Sequence, residues 1–245
     1  MQFYEFILTG FFAGLVGSFF GIGGGIIIVS VLISFNSIEP RFAVGTSFFA
    51  IVISSAVASI YNNSQKRINF EIAFRILVTT IPGSLLGSFI VGIIPINLFN
   101  QIFSLLLFLF AILIYKKSLF EETHSEINPK VLSLILFFVG IITSTSGIGG
   151  GIIFTPLLAH YLGLPLINSI ATSQFILAIT SFFALLTHIY NSNIQINLAI
   201  PVASGAVLGS LIGAKLITKI PKQSINLGLG LIIIGFALYL FSKSI

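Results

Sequence analysis

Long apolar runs separated by short charged stretches dominate this sequence. Residues 6–38, 42–65, 76–115 and 131–214 contain no Asp, Glu, Lys or Arg. A helix of about 20 apolar residues crosses the hydrocarbon core of a bilayer, so several spans fit within these runs. The pattern predicts an all-α, polytopic helical membrane protein whose surroundings are a lipid bilayer.

The chain also contains an internal sequence repeat. The heptapeptide GIGGGII at 21–27 recurs letter for letter at 147–153, an offset of 126 residues. We therefore expect two homologous membrane repeats, 1–120 and 131–245, joined by a charged loop at 121–130. Each repeat is predicted to hold four apolar segments, at about 3–35, 42–61, 72–94 and 98–115, and at about 131–162, 166–190, 198–218 and 223–242.

The first segment of each repeat is too long for one simple span and has the glycine motif in its middle. If each long segment crosses once, the basic residues divide seven against four between the two sides. If each returns to its starting side as a re-entrant hairpin, they divide nine against two, with only Arg41 and Lys243 in the minority. Because Lys and Arg concentrate on the cytoplasmic side, the re-entrant form is favoured, and it makes the halves inverted repeats.

Composition narrows the function further. Charged residues make up 7% of the chain, against about 25% in soluble domains. The net charge of +5 comes from basic residues that lie singly or in pairs between apolar runs, so no nucleic-acid partner is expected. The absence of cysteine excludes disulfides and thiolate metal sites, and we expect neither a metal nor a cofactor. The N-terminal residues include Glu5 but no Lys or Arg, so a cleaved signal peptide is not expected.

Three adjacent glycines inside an apolar segment need an explanation, because each costs about 1 kcal/mol of helix propensity relative to Ala. We interpret both motifs as helix breaks. The amide N–H groups at the start of a new half-helix suit an anion, and matched breaks in two repeats are typical of a transporter site. Close helix packing is the expected role of glycines spaced by four, which are Gly10/Gly14, Gly83/Gly87 and Gly205/Gly209/Gly213.

Hydroxyl and amide side chains follow each motif near the start of the next segment. They are expected either to donate to a substrate oxyanion or to cap the helix, and both roles stay open. No catalytic residue is expected. The candidate substrate-binding residues are Gly21, Gly23, Gly24, Gly25, Ile26, Thr46, Ser47, Gly147, Gly149, Gly150, Gly151, Ile152, Thr172, Ser173 and Gln174.

The doubled GIGGG motif and the GTS and ATSQ sequences downstream resemble the TauE/SafE sulfite exporter family over nearly the whole chain. The resemblance implies a multi-pass transporter of the bacterial inner (cell) membrane, for sulfite, sulfonates or related small sulfur-containing anions. Members differ in substrate and direction. The halves also differ, because Ser144-Thr-Ser146 precedes the second motif where the first has Gly17-Ser-Phe-Phe20. We expect the anion to bind between the halves, with alternating access through movement of one half against the other.

Ionisable residues are scarce within the predicted segments. Arg75 and Lys215 are expected to extend to the membrane surface, and Glu39 and Arg41 to form a local pair. His160 and His188 are interpreted as hydrogen-bonded imidazoles at the membrane interface. No buried acidic residue is expected in the predicted spans, so a carboxylate proton relay is not supported.

Other classes of protein compete with a transporter of sulfur-containing anions. A channel-like or uniport permease for another small anion or organic solute stays open. An intramembrane hydrolase would use Ser146 with His188, but the other half offers no matching histidine. A metal-ion transporter would need convergent carboxylates, Cys or His, and a scaffold would gain nothing from matched helix breaks.

Overall fold

A computed structural model describes residues 3–36, 38–115 and 128–217, and these residues are helical apart from short connections. Among these described residues, six helices are long and apolar enough to cross a membrane: Phe3–Phe20, Pro40–Ser64, Phe70–Ile90, Pro129–Ser146, Leu166–Tyr190 and Ile196–Leu216. The predicted all-α membrane fold is confirmed. The segment predicted at 223–242 and most of the 121–130 loop lie outside the described residues. The helices are α1 (Phe3–Phe20), α2 (Gly25–Asn36), α3 (Pro40–Ser64), α4 (Phe70–Ile90), α5 (Ile96–Tyr115), α6 (Pro129–Ser146), α7 (Gly151–Pro156), α8 (Leu166–Tyr190) and α9 (Ile196–Leu216).

Each long segment is divided into two helices at its glycine motif. The first helix, α1, ends at Phe20 and α2 starts at Gly25. In the second long segment, α6 ends at Ser146 and α7 starts at Gly151, then continues as a π-helical stretch, Leu157–Tyr161. The chain is therefore interrupted at both motifs, where the sequence predicts a break.

The burial pattern fits a protein surrounded by lipid. Large apolar side chains are exposed on the outer faces of the long helices, among them Phe12, Val78, Leu134 and Leu208. The core lies around the two glycine motifs, where Ile22, Ile26, Val44, Ile51 and Ile148 are buried. Exposed apolar area of this extent is unusual in a soluble monomer and suits contact with acyl chains.

Two pairs of helices pack with their backbones in contact. A Cβ atom on Gly10 or Gly14 of α1 would overlap the carbonyl oxygen of Val202 or Ala206 in α9. The same holds between α4 and α6, where the overlaps are Gly83 with Phe137 and Gly87 with Ile141. The close packing predicted for these glycines is confirmed. Residue numbers rise together along both contacts, so α1 is parallel to α9 and α4 is parallel to α6.

The third central pair, α3 and α8, is antiparallel. Near the end of α8, the His188 ring lies 5.6 Å from the ring of Phe48, near the start of α3. Near the start of α8, Asn168 Nδ2 donates to the carbonyl oxygen of Arg67, just beyond the end of α3, at 3.0 Å. The connection from α8 to α9 is short, so α9 turns back and runs in the direction of α3.

These directions determine the path of the glycine segments. Because α1 is parallel to α9, it is also parallel to α3, and the intervening α2 has to return to the side where α1 began. By the same reasoning α6, α4 and α8 share one direction, so α7 also turns back. Both segments are therefore hairpins entering from opposite sides, in agreement with the arrangement that the charge distribution favours. Homology of the two repeats stays a prediction.

Candidate functional site

The tips of the two hairpins touch each other through their glycines. A Cβ on Gly25 would overlap the carbonyl oxygen of Gly147, and a Cβ on Gly151 would overlap the carbonyl oxygen of Gly21. The two contacts correspond to each other, because Gly151 lies 126 residues after Gly25 and Gly147 lies 126 residues after Gly21. All residues from 21 to 26 and from 147 to 152 are buried. The motifs therefore form one shared, enclosed centre.

Backbone conformation gives a second reason for glycine. In the first motif φ is +73° at Gly21, +82° at Gly23 and +79° at Gly24. In the second it is +68° at Gly147 and +77° at Gly149. L-residues rarely adopt this left-handed region, so glycine allows the chain to turn sharply and start a new helix in the interior.

Two serines join the hairpins reciprocally. Ser47 Oγ donates to the carbonyl oxygen of Gly147 at 2.8 Å, and Ser173 Oγ donates to that of Gly21, also at 2.8 Å. Each serine thereby binds the motif of the other half. Because a hydroxyl has one proton, neither serine can at the same time donate to a substrate.

The capping role considered for these residues is wrong. The N-cap of α3 is Glu39 and the N-cap of α8 is Pro165, so Thr46, Ser47, Thr172 and Ser173 lie inside the helices. The interpretation failed because these hydroxyl residues follow so closely on the predicted segment starts. The two serine hydroxyls bind the glycine motifs instead, and neither N-cap residue makes a side-chain capping hydrogen bond.

Hydroxyl donors remain available beside the serines. Thr46 Oγ1 is buried without a hydrogen-bond partner among the described residues. Thr172 Oγ1 accepts from the Asn69 amide at 3.0 Å, which leaves its proton free. Gln174 Nε2 donates to the carbonyl oxygen of Gly17 at 2.7 Å, while its Oε1 has no partner in the described part of the chain.

Backbone amides supply further donors at the centre. Within the described ranges, the N–H groups of Gly24, Gly25 and Ile26 have no acceptor, nor do those from 149 to 152. They are the unpaired amides that begin α2 and α7. The Gly23 amide differs, because it donates to Gly17 O at 3.3 Å. Of the candidate amides, that of Gly23 is therefore already occupied.

His188 departs from the expectation of a hydrogen-bonded interfacial imidazole. It is fully buried, and neither ring nitrogen has a hydrogen-bond partner among the described residues. The ring packs on Phe48 and lies against Gly45, where a Cβ would be 3.4 Å from Nδ1. Gly45 leaves the space for this ring, a long-range contact that no local pattern indicates.

Asn62 and Arg67 are two further polar residues that the sequence motifs do not indicate. Arg67 Nη1 donates to Asn62 Oδ1 at 3.3 Å, and Asn62 is only 1% exposed. A signal existed: at the strict offset of 126, Asn62 corresponds to His188 and Arg67 to Asn193, so the same two positions hold polar residues in both halves.

Two other arginines form local ion pairs. Arg41 pairs with Glu39 at 2.9 Å, as expected, and Arg75 pairs with Glu71 at 2.6 Å on the surface. No group of three metal-ligating His, Asp or Glu residues occurs in the part of the chain that the structure describes. None of the candidate residues at the centre is charged, and most of their unpaired polar groups are N–H and O–H donors.

Comparison with known proteins agrees with this picture. The family model described as Sulfite exporter TauE/SafE matches residues 6–240. A "probable membrane transporter protein YunE" of Bacillus subtilis is 26% identical over 96% of this chain and 95% of its own length. A "probable membrane transporter protein MJ0441" of Methanocaldococcus jannaschii is 27% identical over 93% of this chain and 91% of its own length. No solved structure gives a significant match.

Proposed function

Because this chain belongs to the sulfite exporter TauE/SafE family, we propose that it moves a small sulfur-containing oxyanion, such as sulfite or a sulfonate, across the membrane. The chain is a multi-pass membrane transporter and not an enzyme. The proposal concerns the substrate, the site and the mechanism.

The observation that supports an anion is the set of unpaired donors at the shared centre. The amides of Gly24, Gly25 and Ile26 and those from 149 to 152 lie where the two motifs touch, with the free hydroxyl of Thr46 on the adjacent helix. A helix N-terminus offers N–H donors and a partial positive charge. An oxyanion has several acceptor oxygens and no need of protein acceptors, so it complements this cluster.

Transport through this centre requires movement, because both motifs are buried in the conformation described. The expected movement of one sequence half against the other conflicts with the packing. Helix α1 of the first half is bound along its backbone to α9 of the second, and α4 of the first to α6 of the second. We propose that these cross-half pairs are the moving bodies, and that they rock about α3 and α8 to open the centre to each side in turn.

Thr46→Val is the sharpest test of the site, because it removes a hydroxyl that has no hydrogen-bond partner within residues 3–36, 38–115 and 128–217. The isosteric change should leave folding intact, while sulfite flux in proteoliposomes shows a half-saturation concentration raised about three- to tenfold, as for loss of one neutral hydrogen bond. Ser55→Ala is the matched control, since Ser55 is another buried, unpartnered hydroxyl further along α3. Unchanged flux kinetics in Thr46→Val would refute this site, and absence of sulfite and sulfonate flux in the wild type would refute the substrate.

A further inference from the structure

We propose that Arg67 and Asn62 form a second anion-binding site, at the mouth of the pathway on the more basic side of the protein. The size and charge of its ligand, a small oxyanion, rest on the proposed function. The site itself rests on geometry that is separate from the glycine centre.

Arg67 differs from the other two arginines of the chain. Arg41 and Arg75 are each neutralised by a glutamate, whereas Arg67 has no carboxylate partner among the described residues. It is half-buried, and its guanidinium makes one hydrogen bond, to Asn62 Oδ1. A guanidinium has five N–H donors in a planar fork, so most of them remain for a ligand.

Asn62 adds a buried donor beside this cation. Its side chain is 1% exposed, and Nδ2 has no acceptor in the described part of the chain. An unsatisfied buried donor is unfavourable unless a ligand completes it. Because Oδ1 of the same amide binds Arg67, Nδ2 and the guanidinium are held close together. A cation and a neutral N–H donor side by side, without an acidic group, select an anion with more than one acceptor oxygen.

The backbone around Arg67 is held in place by both neighbouring helices. Its amide donates to the carbonyl oxygen of Asn62 at 3.1 Å, and its own carbonyl oxygen accepts from Asn168 Nδ2 at 3.0 Å. Two residues on, the Asn69 amide donates to Thr172 Oγ1. The site is thus built into the junction of α3, α4 and α8.

Two neighbouring residues of α8 connect this junction with the glycine centre. Thr172 is followed by Ser173, whose hydroxyl binds the carbonyl oxygen of Gly21. An anion on Arg67 is therefore separated from the glycine motifs by one short stretch of α8. The helix directions also place most of the charge here, because the described basic residues at this end are Lys66, Arg67, Arg75, Lys130 and Lys215, with Arg41 at the other. By the positive-inside rule this end is cytoplasmic, so the site captures anions from the cytoplasm.

Sided kinetics test this site. Sulfite is varied on one side of the proteoliposome at a time, for wild type, Arg67→Gln and the control Arg75→Gln. Arg67→Gln should raise the half-saturation concentration about tenfold or more on the Arg67 side, since a charge-assisted hydrogen bond is lost, and raise it less on the other side. Arg75→Gln should match wild type. An unchanged half-saturation concentration in Arg67→Gln, or an equal rise on both sides of the membrane, would overturn the proposal.

Asn62→Asp gives an independent variant that is expected to fold. The carboxylate replaces an amide of the same size and pairs with Arg67, so the site is neutralised without a cavity. If the wild type transports no sulfite, the proposed substrate is wrong. Sulfite binding, measured by thermal stability, then tests the Arg67 and Asn62 site independently of transport. Sodium sulfite should then raise the melting temperature of wild type and Arg75→Gln, but of neither Arg67→Gln nor Asn62→Asp. A rise of the melting temperature in all four proteins, or in none of them, would overturn the proposed site at Arg67 and Asn62.

Discussion

The turn after α3 and the turn after α8 share a backbone but differ in chemistry. Lys66 and Ser192 have φ of +55° and +54°. The Arg67 amide donates to Asn62 O at 3.1 Å, and the Asn193 amide donates to His188 O at 2.9 Å. Yet one turn presents an arginine beside a buried asparagine, and the other an asparagine beside a buried histidine.

The glycine centre shows the opposite relation. There the glycine overlaps between the two motifs and the serine hydrogen bonds of 2.8 Å occur in equivalent form in both halves. The comparison suggests a division of roles. A near-symmetric centre can face either side, whereas a permanent cation at one mouth and an uncharged amide at the other distinguish the two directions.

The largest expected effect concerns the sides of the membrane on which the turns after α3 and α8 lie. The chain has no cysteine, so Gln65→Cys and Asn191→Cys, at the C-caps of α3 and α8, each introduce a single thiol. A membrane-impermeant maleimide should label Asn191→Cys in intact cells and Gln65→Cys only after permeabilisation, because the positive-inside rule predicts that the basic turn faces the cytoplasm.

Asn128→Cys is the control for this labelling. It precedes α6, which begins at the same end as α4, so it should behave like Gln65→Cys. Labelling of Gln65→Cys and Asn191→Cys from the same side would contradict the hairpin path of the glycine segments and remove the basis for comparing two opposite mouths.

The second prediction tests whether the two halves contribute equally to the glycine centre. Gly25→Ala and Gly151→Ala each place a Cβ on a carbonyl oxygen of the other motif, a backbone overlap that costs about 3 kcal/mol. Both variants should lose sulfite flux and melt at a lower temperature to a similar degree. Gly92→Ala is the control, since its Cβ would meet Phe89 O at an ordinary 3.4 Å. A large loss in one variant only would show that the halves contribute unequally.

Local signals in the sequence account for the helices and their breaks. Segment 166–190 coincides with α8, because an apolar run bounded by Pro165 and Asn191 has few alternatives. The breaks at the GIGGG motifs were predictable because repeated glycine is costly in a helix. Glycines spaced by four indicated close packing, and Gly10, Gly14, Gly83 and Gly87 show it.

The pairing of helices across the halves was not predictable in this way. Helices that are apolar on every side have no hydrophobic stripe to show which face meets which neighbour. Nothing in the sequence therefore places α1 on α9 or α4 on α6. The same limit hid His188, whose burial depends on the space beside Gly45, and Arg67, whose position depends on a hydrogen bond from Asn168.

The smallest effect examines how the equivalent centre is held together. Ser47→Ala and Ser173→Ala each remove one hydroxyl and leave a buried glycine carbonyl without its side-chain donor, at a cost of about 1–3 kcal/mol. Each should lower the melting temperature modestly and by a similar amount. The double variant should lose about the sum, because the two hydrogen bonds act on different carbonyls.

These serines already donate to carbonyl oxygens, so they contribute to the hairpin contact and not to anion binding. The half-saturation concentration for sulfite should accordingly change less in Ser47→Ala than in Thr46→Val, although the two residues are neighbours on α3. A larger rise in Ser47→Ala would mean that its hydroxyl turns from Gly147 to the anion during transport. The reciprocal contact would then be a feature of the closed conformation only, and the centre would be equivalent from both halves only until an anion binds.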